Sequence, residues 1–265
     1  MKRITISVLA FSALLIAAPL SNASAADLTF KAPPLPPPPV CTWCGFYIGA
    51  NAGYSWGNAR WTYSDPSFSG TNSGSEKLDG FIGGVQIGYN WQANKTWVLG
   101  LEADIQGSAE KGNNSFSDPY TYEIVTIDPT AFVNGNVSSD IRWFGTVRGR
   151  LGMLVNPDLL LYGTGGLAYG GISTSGSFFD TFPGCSPAIC NWAFSQTRTM
   201  IGWTVGGGVE GAIANSANWT WKIEYLFINF GTLSGTGFAT DPGAYSWSTN
   251  VTDNILRVGV NYRFH

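Results

Sequence analysis

Arg148 and Arg150 sit two residues apart in WFGTVRGRLGML, residues 143–154, among neighbours that are apolar, glycine or a single threonine. Charges in that company call for anions. Carboxylates occur in similar surroundings: Glu102 and Asp104 in WVLGLEADIQ, Glu210 in MIGWTVGGGVEGAI and Glu224 in WTWKIEYLFINF. Lys222 shares the last of these stretches, and Arg257 lies in ILRVGVNYRF. A carboxylate pair such as Glu102 and Asp104 can divide acid and base work, but four acids matched by four bases read first as a network of internal ion pairs. Other catalytic chemistry lacks its parts. The one histidine is the terminal His265, so a serine or cysteine nucleophile has no internal imidazole to serve it. Zinc would need clustered histidine and cysteine. We therefore read no enzyme, no metal and no cofactor. Haem would have to use Tyr120, Tyr122 or Tyr245, loop aromatics with ordinary packing roles.

Cysteine offers one more chemistry. Cys41 and Cys44 stand just before the first periodic stretch, and Cys185 and Cys190 lie five apart in a later connection. In an exported chain these read as disulfide partners, with three pairings open. A redox role for Cys41 and Cys44 would want a helix N-terminus to lower the thiol pKa, and a strand start offers none.

The elements that must position these residues follow from composition and period. Only 12% of the 265 residues are charged, and 34 are glycine, which costs roughly 1 kcal/mol against alanine in a helix. In GFYIGANAGYSW (residues 45–56) alternate residues Phe46, Ile48, Ala50, Ala52, Tyr54 and Trp56 are apolar, and those between are small or polar apart from Tyr47. That is the period of a strand with unlike faces. GFIGGVQIGYNW, WVLGLEADIQ, WFGTVRGRLGML, LLLYGTGGLAYG, MIGWTVGGGVEGAI, WTWKIEYLFINF and ILRVGVNYRF repeat it, which makes eight strands.

Short connections near 92–96, 155–158 and 214–218 alternate strictly with long ones near 57–79, 107–140, 171–198 and 231–253. Even strand number, strands of about ten residues, and short turns opposite long loops describe an outer-membrane barrel. The predicted fold is therefore all-β, an eight-stranded antiparallel up-and-down transmembrane β-barrel over residues 45–265. Trp91, Trp97, Trp219 and Trp221 flank the short turns, whereas Trp56, Phe81, Trp143 and Tyr225 lie toward the loops. Two aromatic belts suit two membrane interfaces. A soluble barrel would reverse the faces, keeping the broad apolar one inside.

The charges can then be placed. At mid-depth on the lipid face a charge costs about 2 to 4 kcal/mol, so Glu102, Asp104, Arg148, Arg150, Glu210, Lys222, Glu224 and Arg257 belong in the lumen. An eight-stranded barrel is only just wide enough for its own side chains, and mixed charges do not form the one-sign ring of a selective pore. A wide diffusion channel is not expected.

Ahead of the barrel, Lys2 and Arg3, the apolar run from Val8 to Leu20 and Ala23-Ser24-Ala25 fit a signal peptide cleaved after residue 25. The run falls short of the ~20 residues of a spanning helix. Cleavage would leave 12 basic against 17 acidic residues, a net charge of −5. Nothing suggests nucleic acid, which asks for clustered basic residues. Residues 26–44, with DLTFKAPPLPPPPV, read as a proline-rich periplasmic spacer.

From the leader followed by ADL and the proline run to GFYIGANAGYSW, FIGGVQIGYNWQ, RWFGTVRGRLG, LYGTGGLAYG, WTVGGGVEGAI, WKIEYLFINFG and LRVGVNYRF, the mature chain resembles a known family end to end. It is similar to the small outer-membrane barrels of alphaproteobacteria, called porin-family or outer-membrane immunogenic proteins, which group with OmpA-like transmembrane domains. The resemblance implies outer-membrane residence, contact with outer-membrane lipid, and loops that meet a host or environmental ligand. It also implies roles in envelope integrity, passive permeation or, for some members, haem binding. Val260, Tyr262 and Phe264 resemble the terminal signal read by the barrel-assembly machinery; His265 after Phe264 departs from the usual aromatic ending. Three functions are thus expected: an envelope-structuring barrel displaying long loops, a narrow porin, or a surface ligand-binding or adhesion protein. No residue pattern specifies an oligomer.

Overall fold

A computed structural model describes residues 41–65, 70–119, 132–181, 191–216, 218–238 and 244–264. The leader, the proline-rich run to Val40, Tyr120, Tyr122, Cys185, Cys190 and His265 lie outside the described residues. Eight strands form the fold: β1 (Gly45–Asp65), β2 (Gly70–Gln92), β3 (Trp97–Pro119), β4 (Phe132–Asn156), β5 (Leu159–Thr181), β6 (Asn191–Ala212), β7 (Trp219–Phe238) and β8 (Ala244–Arg263). Each pairs antiparallel with the next, and β8 returns to β1, so the sheet closes. Toward the short turns closure pairs every strand on both sides, as lipid demands, whereas farther up the β6–β7 ladder ends at Trp203–Asn229 and the β2–β3 ladder at Asp79–Lys111. Phe264 continues the seam, its N–H donating to the Phe46 carbonyl at 2.8 Å.

The strands run 20 to 25 residues, far longer than the sequence suggested. Most of what was expected as long loops at 57–79, 107–140, 171–198 and 231–253 is strand. The physical reason is a reversal of polarity partway up each strand. Exposed apolar residues run from Phe46 to Trp56 on β1, Phe81 to Trp91 on β2, Trp97 to Ile105 on β3, Trp143 to Met153 on β4 and Leu256 to Phe264 on β8. These stretches match the 9 to 11 residues of a tilted strand crossing a bilayer, and we take them as the membrane-spanning segments. Beyond them the outward positions become Asn58, Arg60, Lys77, Lys111 and Asn254, while Ala59, Leu78, Ile141 and Val251 turn inward and are buried. A search for apolar-out alternation therefore ends at the upper belt although the ladder continues.

Register shifts between Gly107 and Glu110, Ile141 and Trp143, and Asn229 and Gly231 fall at the same crossing. Such bulges reset which side chains point inward. Gly231 supplies the left-handed backbone at its bulge, with φ of 85°. The Asn229 side chain accepts from its N–H at 2.7 Å.

Two layers fill the lumen. Charged and amide side chains occupy the membrane-spanning half. Directly above, a buried apolar layer includes Phe144, Leu226, Ile228, Phe230 and Ile255. Phe144 and Phe230 meet edge to face with ring centroids 6.3 Å apart.

Candidate functional site

The structure brings all eight candidate charges into one buried layer. Arg148 is its hub. Glu102 on β3 lies directly across the ladder from Arg148 on β4, and Arg148 Nη2 approaches Glu102 Oε1 at 2.5 Å and Asp104 Oδ2 at 2.9 Å. Its Nη1 reaches Glu224 on β7 at 3.0 Å. Thr146, one inward step along β4, accepts from Arg148 Nε at 2.8 Å and donates to Asp104 at 2.8 Å. From β8, Arg257 Nη2 bridges Glu224 at 2.5 Å and Asp104 at 3.0 Å. Lys222 Nζ holds both Glu102 oxygens, at 2.9 and 3.1 Å.

Arg150 leads to the short-turn side of the layer. It pairs with Glu210 on β6 at 2.7 Å, and its guanidinium lies 4.0 Å from the Tyr162 ring centre, close enough for a cation–π contact. Tyr47 accepts from Arg150 at 3.1 Å and donates to Glu102 at 2.7 Å. Tyr162 donates to Glu224 at 3.0 Å. The second Glu210 oxygen accepts from Thr220 at 2.7 Å and Asn261 at 3.0 Å, and Asn261 accepts from Gln86, which accepts from Asn51. Every strand contributes a side chain. Each carboxylate thus has both cations and hydrogen-bond donors, the condition under which buried ions are tolerated.

Sequence reasoning missed the two tyrosines. Their signal was parity, since both fall on the lumen side of otherwise apolar-out strands. Room for Tyr47 comes from Gly88 on β2, where an added Cβ would stand 2.3 Å from the phenol oxygen.

A stopper closes the end bearing the short turns. A disulfide joins Cys41 to Cys44, and the loop it closes carries Trp43, which is 1% exposed. Trp43 packs with Val98, Leu160 and Tyr162, donates from Nε1 to the Pro157 carbonyl at 2.9 Å, and receives the Arg263 guanidinium 4.7 Å from its ring centre. Arg263 also donates to the Thr42 carbonyl at 2.7 Å. The segment expected to be spacer as far as residue 44 therefore ends in a packed loop.

A second missed group lies above the membrane-spanning segments, in stretches read as loop. Glu110 and Asp253 are fully buried on the inner face. Ser55 donates to Asp253, and Ser108 donates to Glu110 at 2.8 Å. Burial among apolar neighbours is the largest influence on both, with the Asp253 charge adding to Glu110. It pushes Glu110 up to about 8 and Asp253 up to about 6. Burial also raises Glu76.

Val260, Tyr262 and Phe264 alternate on the outer face of β8 and its end. The Tyr262 ring lies 5.1 Å from Phe264 and 5.3 Å from Trp219 between ring centres.

The family described as outer membrane protein beta-barrel domain matches residues 11–264. The chain is 36% identical over 251 residues to the 31 kDa outer-membrane immunogenic protein of Brucella melitensis, covering 92% of this chain and 94% of that protein. It is 30% identical over 232 residues to a 22 kDa outer membrane protein of Rhizobium leguminosarum, with 86% and 82% covered. Among solved structures, the outer membrane protein OprG from Pseudomonas aeruginosa aligns over 84% of this chain and 97% of its own, at 12% identity and a TM-score of 0.47.

Proposed function

The chain belongs to the outer membrane protein beta-barrel domain family, and on that premise we propose that it works as a closed structural barrel of the outer membrane. Its task is to brace the envelope and to carry the strand extensions to the cell surface. The observation that carries this reading is the continuous filling of the lumen. The ion-pair layer around Arg148 is followed directly by the apolar layer around Phe144 and Phe230. A solute would have to break buried ion pairs and then cross a layer that rejects ions.

The extensions suit display. Their outward positions are polar for the most part, with Phe179 on β5 an exposed exception, and their inner positions bury an apolar core that holds them upright beyond the membrane. In the relatives whose names include the word immunogenic, such a surface would be what antibodies meet.

The test is cellular. Removing the gene should raise sensitivity to detergents, and the parent chain should restore it. An epitope placed between β1 and β2 should be labelled on intact cells. Unchanged detergent sensitivity together with an unlabelled epitope would defeat the proposal.

A further inference from the structure

Among the described residues, basic side chains on the outer face beyond the upper aromatic belt gather on one side of the barrel. Above the upper aromatic belt, adjacent strands β1 to β4 carry Arg60, Lys77, Lys111 and Arg142 on the outward face, all exposed. Arg60 and Lys77 stand four residues beyond the belt residues Trp56 and Phe81, and Arg142 adjoins Trp143. With about 3.3 Å per residue and a tilt near 45°, four residues rise about 9 Å. That height lies at the outer edge of the headgroup layer, which adds roughly 5 to 8 Å to each side of the hydrocarbon. The long stems of Arg and Lys extend the range.

Two outward acids share this region: Asp79 accepts from Tyr54 and Asp140 pairs with Arg142 at 2.8 Å, and both stand across the ladders from Lys111, so the four cations outnumber the acids two to one. No ion pair reaches Arg60, Lys77 or Lys111 among the described residues. On β5 to β8 the outward positions at comparable height are uncharged among the described residues, as at Ser175, Thr197, Thr199, Asn250 and Asn254. Arg198 on β6 is exposed but has the parity of the buried Met200 and stands opposite the buried Ile172.

We propose that the outward faces of β1 to β4 form a docking surface for the phosphate groups of an anionic glycolipid in the outer leaflet, gripped by Arg60, Lys77 and Lys111. Two features favour a lipid over a ligand arriving from solution. The cations point sideways, perpendicular to the barrel axis, and they continue directly from the aromatic belt. A phosphate on a lipid whose chains lie against that belt is delivered to them by the membrane itself. The neutral β5 to β8 side gives the barrel an orientation among its lipids.

The experiment uses the folded full chain in phosphatidylcholine vesicles containing a few per cent of a fluorescent glycolipid bearing two phosphates. Energy transfer from the belt tryptophans reports local enrichment. A near-neighbour cation contributes about fivefold to binding of an anionic headgroup. The parent should therefore enrich the phosphorylated lipid well over tenfold relative to the same lipid stripped of phosphate. R60Q/K77Q/K111Q should abolish that enrichment while keeping the heat-dependent gel shift of a folded barrel. Loss with Lys77→Gln alone, in a chain that still shows the gel shift, supports the same conclusion should the triple variant not fold. Equal enrichment of both lipids, or unchanged enrichment in the folded triple variant, overturns the proposal. Saturable binding of inorganic phosphate or of a soluble sulfated polysaccharide, without lipid enrichment, overturns it in favour of a ligand from solution.

Discussion

Glu102 and Arg148 occupy facing positions on β3 and β4, and the 2.5 Å contact between them joins the halves of the buried charge layer. Arg148 also binds Asp104 and Glu224, so its loss leaves three carboxylates short of a cation. Arg148→Ala should destabilise the barrel by about 3 to 5 kcal/mol. The temperature at which the folded band converts to the unfolded one on a detergent gel should fall accordingly. Arg148→Met combined with Glu102→Met should cost less than the sum of the single changes, because the pair is then removed together.

Gly88 and Tyr47 test the packing of the same layer. An added methyl at Gly88 overlaps the phenol of Tyr47, so Gly88→Ala should cost about 1 to 3 kcal/mol by overpacking. In a Tyr47→Ala background the cost should shrink but not vanish, because the same Cβ also stands 2.7 Å from the Leu101 carbonyl oxygen. Equal cost in both backgrounds would place the strain elsewhere.

The stopper makes a separate prediction. Trp43 is buried between the disulfide loop and the short-turn end of the barrel. Trp43→Ala should lower stability by about 3 to 5 kcal/mol. Trp43→Phe keeps a ring beneath Arg263 but loses the bond to Pro157, and should fall between parent and alanine variant in the gel-shift temperature.

The acids above the membrane predict a pH dependence. Glu110 is held at about 8 and Asp253 at about 6, against ordinary values of 4.5 and 3.8. Folding thus favours their protonated forms. Stability is greatest below the unfolded values, declines as pH rises past about 4, and levels off once pH exceeds about 8. For Glu110 the loss at alkaline pH is of the order of 3 to 5 kcal/mol. Comparing gel-shift temperatures at pH 5 and pH 9 should show a clear fall in the parent and a much smaller one in Glu110→Gln. That variant should be the more stable of the two at pH 9.

Strand number, order and the facing of the eight charges were legible because lipid enforces them. A charge turned outward at mid-depth is penalised, so parity alone assigns Glu102, Arg148 and their neighbours to the lumen. Above the belt that penalty vanishes. There Lys77 faces out and Leu78 faces in, the opposite of the pattern below, and bulges at Ile141 and Asn229 shift the count. Glu110 and Asp253 were hidden for that reason. Trp43 precedes any periodic stretch, so its burial depends on tertiary packing with Leu160 and Arg263 that no local pattern announces.

Closure of the lumen is most directly tested by conductance of the folded chain in a planar bilayer, with Arg148→Ala and Glu102→Ala measured alongside. The parent should show no discrete openings, because the ion-pair layer and the Phe144–Phe230 layer both block the path. Discrete openings in the parent whose size changes in both variants would contradict closure and show a pore lined by those charges.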